Sequence, residues 1–87
     1  MKVANWERFA DELRAALIKC YPTITWRVTP DIRTDVAGVS VEARRVGTQS
    51  AVQIWVDSVT MKSMTLHDLL EAIHEEAERQ LAGQQDR

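Results

Sequence analysis

Ala51-Val52-Gln53-Ile54-Trp55-Val56-Asp57 alternates apolar and polar positions more cleanly than any other stretch of the chain. A period of two marks a strand with one buried face. Val52, Ile54 and Val56 share one side, and Gln53, Trp55 and Asp57 share the other. Upstream, Val39, Val41 and Ala43 alternate in the same way with Ser40, Glu42 and Arg44. Between the two runs, Gly47-Thr48-Gln49-Ser50 is turn chemistry, with Gly47 free to take positive φ. Residues 39–59 therefore read as a β-hairpin, with arms at 39–46 and 51–59. The remaining segments are read as cover for its aliphatic face.

The segment before the hairpin supplies a third strand. Ile24, Trp26 and Val28 alternate with Thr25, Arg27 and Thr29, a β-branched run suited to a half-buried sheet. Pro30 ends the ladder or confines this strand to a sheet edge. Residues 31–38 read as a loop, with 32–36 able to extend a strand past the proline. Residues 2–21 read as a helix whose Trp6, Phe9, Ala10, Leu13, Leu17 and Cys20 form one apolar stripe. Asn5 is its expected N-cap, and Pro22 stops it. After a connector at 60–64, Thr65 is the expected N-cap of a last helix, with Asp68 at the third position as a weak capping box. Leu66, Leu69, Leu70, Ile73, Ala77 and Leu81 make that helix's stripe, and Gly83 is expected to end it.

One apolar face per strand and one stripe per helix predict an α+β fold. The expected form is a two-layer αβββα sandwich: a three-stranded antiparallel meander with both helices packed on one face. The expected layout is a single domain over 1–83 and a mobile tail at 84–87. The element order resembles that of double-stranded RNA-binding domains, which set basic residues at the start of the last helix to meet phosphates. Here that start is Met64-Thr65-Leu66-His67-Asp68 with Lys62 nearby, followed by Glu71, Glu75, Glu76 and Glu78. The resemblance extends to topology only.

Composition narrows the function classes. Eleven basic and 13 acidic residues leave a net charge of -2 over 87 residues, which argues against a phosphate-gripping surface and equally against a strongly acidic nucleic-acid mimic. The single cysteine, Cys20, cannot close an intrachain disulfide. It lies on the apolar stripe at a helix C-terminus, where the dipole disfavours a thiolate, so it reads as a small buried hydrophobe. The N-terminus lacks a signal-peptide pattern and no run is long enough to span a membrane, so a cytoplasmic protein is expected.

Four residue groups stand out as candidate sites. Trp55 faces away from the expected core among Arg27, Arg44, Gln53 and Asp57, the pattern of an interface anchor with a polar rim. The structural alternative is that Trp55 covers the sheet and stacks on Arg44 or Arg27. His67, Glu71, His74 and Glu78 share one face of the last helix and include a Glu-x-x-His spacing, a weak metal candidate. With no second ligand cluster, a solvated face is the simpler reading. Arg44 and Arg45 adjoin, with Arg33 near, but neighbours on a strand point to opposite faces and do not converge. Met61 and Met64 read as gap-fillers or an adaptable lip before the last helix. No catalytic constellation emerges, and no cofactor is expected. The leading expectation is a non-catalytic protein-binding module (adaptor, subunit or inhibitor) that binds a protein partner or a second copy through the Trp55 face. The alternative is a nucleic-acid-binding module using Arg27, Arg33, Arg44 and Arg45, with Trp55 stacking on a base.

Overall fold

The computed structural model describes residues 5–84, and its elements are α1 (Trp6–Cys20), β1 (Ile24–Arg33), β2 (Val36–Arg45), β3 (Ala51–Asp57), α2 (Ser58–Lys62) and α3 (Leu66–Gln84). The strands form one antiparallel sheet in the order β1-β2-β3. Helix α1 packs on β1 and α3 on β3, both against the aliphatic side of the sheet. The α+β sandwich expected from the alternation is the fold.

The period-two reading sets the core. Val28 pairs with Val41, and Val41 with Ile54; one rung along, Trp26 pairs with Ala43, and Ala43 with Val52. Ile24, Trp26, Val28, Val39, Val41, Ala43 and Val52 are buried on that face, beneath Phe9, Ala10, Leu13 and Leu17 of α1 and Leu69, Leu70, Ile73, Ala77 and Leu81 of α3. Ile54, Val56 and Trp6 are partly buried against this cluster, and Met61 and Met64 fill the junction before α3. No helix among the described residues is long and apolar enough to cross a membrane.

Caps fall where the sequence placed them. Asn5 Oδ1 accepts from the Arg8 N–H at 3.0 Å, and Thr65 Oγ1 accepts from the Asp68 N–H at 3.1 Å. Several boundaries differ. Residues 2–4 of the expected 2–21 helix lie outside the described residues, as do residues 85–87 of the expected 84–87 tail. Gly83 does not end the last helix, because it stays out of the left-handed conformation of a capping glycine and α3 runs on to Gln84. Cys20 is exposed, not buried. Tyr21, next in the chain, packs against the core instead. Leu66 is likewise exposed in the first turn of α3, off the end of its stripe.

The largest difference concerns residues 31–38. They are not a loop: β1 continues through Pro30 to Arg33, and β2 begins at Val36. Pro30 is tolerated because β1 is an edge strand. Thr34 and Asp35 alone make the turn, with φ of 51° and 63°. Two successive positive φ values are the signature of a type I′ hairpin turn, normally built from Asn-Gly or Asp-Gly. A β-branched threonine there is strained. The double substitution Thr34→Asn and Asp35→Gly is expected to raise stability by roughly 1 kcal/mol, read as a higher urea midpoint at an unchanged m-value.

Candidate functional site

The second sheet face is left uncovered by every described element. Across it lie Thr25, Arg27, Thr29, Asp31 and Arg33 from β1; Val36, Gly38, Ser40, Glu42 and Arg44 from β2; and Gln53, Trp55 and Asp57 from β3. The structure thus brings Trp55, Arg27, Arg44, Gln53 and Asp57 onto one face, as the alternation expected.

Trp55 has a structural duty that its sequence position does not reveal. Its indole lies over Gly38: a Cβ built on Gly38 would come within 3.0 Å of the ring carbon Cζ2 and within 2.3 Å of the Val56 carbonyl oxygen. Gly38 is buried as a result. With no side chain at Gly38 in the way, Arg33 reaches from β1 across β2 and sets its guanidinium 5.4 Å from the Trp55 ring centre. The cation–π partner is Arg33, not Arg44 or Arg27. It was hidden because residues 31–38 read as a loop. The Arg33 Nε also donates to Asp31 at 2.8 Å, which holds the guanidinium in place. The Trp55 Nε1 is shielded from solvent and has no hydrogen-bond partner.

The polar rim is organised by Glu42. Arg44 approaches its carboxylate at 3.6 Å and Arg27 at 4.0 Å from the other side. These four side chains of the face (Thr25, Arg27, Glu42 and Arg44) enclose a small depression of about 60 Å³. Gln53 pairs with Glu42 across β2–β3 and is exposed. Asp57 plays another part. Its Oδ1 accepts from the Thr60 N–H at 2.6 Å and caps α2. That backbone hydrogen bond is the first cause holding its carboxyl below the ordinary value. The expected third strand to residue 59 therefore stops at Asp57, and part of the expected connector is α2.

Arg45 points to the opposite face from Arg44, as strand geometry requires, and donates to Glu78 of α3 at 2.7 Å. Glu78 also meets His74 Nε2 at 3.3 Å, and the His74 ring stacks on Tyr21 with centres 3.8 Å apart and planes within 2°. Half of the candidate metal stripe, His74 and Glu78, is thus engaged in joining α3 to β2 and to the end of α1. His67 and Glu71 are exposed. Among the described residues no group of three or more His, Cys, Asp or Glu side chains converges to hold a metal ion. Comparison with protein-family models, curated proteins and solved structures returns no match.

Two outcomes test this geometry. Gly38→Ala is expected to destabilise the fold by about 1–3 kcal/mol, since the new methyl meets the Val56 backbone as well as a movable ring; equilibrium denaturation measures it. The Glu78 carboxyl is held below its ordinary value, mainly by the hydrogen bond from Arg45, with burial opposing it and the charges of Arg45 and His74 adding. A depressed folded pKa makes its stabilisation complete above the ordinary glutamate range and lost as pH falls through the folded value. Glu78→Gln is expected to cost about 1 kcal/mol or less at neutral pH, given that the pair is partly exposed. The difference from the parent should vanish in acid melts.

Proposed function

We propose that this protein is a non-catalytic protein-binding module that docks through the open face of its sheet. Trp55 is the anchor, and Arg27, Arg44 and Gln53 form the polar rim. The observation that carries the reading is the uncovered sheet face with a half-buried indole held in one place. Gly38 against the indole and Arg33 over its ring hold the anchor in place before any partner arrives. Pre-ordered aromatic anchors lose little entropy on binding, and Trp with Arg is the pairing most often responsible for interface energy.

The arginines favour a protein over a nucleic acid. Arg27 and Arg44 share Glu42, Arg33 holds Asp31, and Arg45 lies on the other face with Glu78. Phosphate gripping needs cations that converge and remain available. Such a module would serve as an adaptor, subunit or inhibitor by occupying a partner's surface, or as a homodimer joined through this face. The free, exposed thiol of Cys20 suits a reducing cytoplasm.

The test compares affinity capture by the parent with capture by Trp55→Ala and Arg44→Ala, each checked for native fold by circular dichroism. Each substitution is expected to weaken capture of the partner about tenfold or more, the scale of an interface hot spot. Undiminished capture by folded variants would sink the reading. Salt-sensitive binding to oligonucleotides, lost with the same residues, would replace it with nucleic-acid recognition.

A further inference from the structure

The two edges of the sheet are built differently. On β1, Pro30 removes a backbone donor, and exposed Arg27 and Arg33 line the strand. Proline and charge are the usual devices that stop an edge from accepting another strand. β3 is the other edge. Its seven residues, Ala51–Asp57, contain no proline and no charge before Asp57, whose carboxylate is engaged in capping α2. High β-propensity, low charge and no proline over Val52–Val56 describe a segment suited to pairing.

Beside this edge, β3 and α3 leave an apolar groove of about 190 Å³, lined chiefly by Ile54, Val56, Met64, Leu69 and Ala72. Ala72 is small and exposed, so the helix leaves room for side chains of an added strand. The helix side of the groove is acidic. Helix α3 carries five acidic residues against the single Arg79. Asp68, four residues before Ala72, and Glu75, three after it, share its side of the helix; both are exposed.

We propose that the β3 edge takes up an extended, Lys/Arg-rich segment of a partner protein as a fourth strand. Main-chain hydrogen bonds to β3 supply the pairing. Inward side chains lay their aliphatic stems along Ile54, Leu69 and Ala72 and place their cationic heads at Asp68 and Glu75. Outward side chains lie beside Trp55 and Gln53, where apolar residues pack best. A second copy of this chain fits poorly, because two-fold pairing of β3 strands sets one acidic α3 beside the other. The groove shares Trp55 with the open face but excludes the Arg27–Glu42–Arg44 rim, so Arg44→Ala separates docking on the open face from strand addition at this edge.

The probe is an acetylated seven-residue peptide alternating lysine and valine, titrated into the isotope-labelled full chain and followed by NMR. Shifts are expected at β3 amides and on the Ala72 side of α3, with affinity falling as salt rises. Ala72→Glu fills the groove while adding negative charge, and Glu is well tolerated on an exposed helix. It is expected to weaken binding about tenfold or more, as loss of a packed contact does, whereas Arg44→Ala leaves binding unchanged. A peptide N-methylated at alternate residues, or one with glutamate in place of lysine, should not bind. The proposal is overturned by binding of either control peptide, by shifts confined to Arg27, Glu42 and Arg44, by indifference to Ala72→Glu, or by no binding at millimolar peptide. Concentration-dependent self-association that protects β3 amides would overturn it too, by making a second copy the occupant.

Discussion

The fold depends on one buried indole. Trp26 is 1% exposed and stands at the centre of the core. A tryptophan buried this deeply must place its N–H on an acceptor, because an unpaired donor in the interior costs about 1–3 kcal/mol. The Trp26 Nε1 donates to the Tyr21 carbonyl oxygen at 3.2 Å, where α1 ends and the chain turns into β1. Arg14 of α1 donates from Nε to the carbonyl oxygen of Trp26 itself at 3.0 Å. The helix and its neighbouring strand are thereby held in one orientation. Tyr21 carries the constraint onward: its ring stacks on His74, and through Glu78 the contact reaches Arg45 at the end of β2. A single chain of contacts joins both helices to the sheet.

With both helices committed to the Trp26 side, the opposite face has only its own side chains to cover it. The Trp55 indole lies against Gly38, the Arg33 guanidinium sits over its ring, and Glu42 draws two arginines together. These contacts make the face rigid and nearly neutral while leaving it open. Order and partial exposure are compatible here, because the Trp55 indole is held by residues of its own sheet. The edge of β3 belongs to the same economy. A three-stranded sheet has two edges, and the chain guards one with Pro30 and charge while leaving the other beside an acid-flanked groove.

Much of this was legible before any coordinates, and the residues show why. Alternation at Ile24–Val28, Val39–Ala43 and Val52–Val56 fixed which face is buried, since a one-residue slip would expose the whole aliphatic set. Asn5 and Thr65 were readable as caps because capping is a local hydrogen bond. The tight turn at Thr34-Asp35 is not, because a β-branched threonine is an unusual choice for positive φ and no glycine stands beside Asp35. That miss concealed Arg33 as the partner of Trp55, a pairing that exists only once β1 is long enough to bring Arg33 alongside. Strand alternation places Asp57 on the rim; its capping role appears only because the strand stops there and α2 begins. Cys20 followed the helical period faithfully, but a stripe on a helix is buried only as far as the sheet beneath it extends.

Sequence by itself determined the two long helices, the three strands and their order, the sign of each face and the burial of Trp26 with the aliphatic rows, because these follow from short-range periodicity and the transfer of apolar area from water. It also determined that Arg44 and Arg45 cannot act together, because neighbours on a strand diverge. Tertiary structure alone decided that Trp55 covers Gly38, that Arg33 stacks on it, that Glu42 gathers Arg27 and Arg44, and that His74 and Glu78 are occupied by Tyr21 and Arg45. Each of these joins residues from different elements, and their distances depend on register and layer packing, which local propensity does not encode.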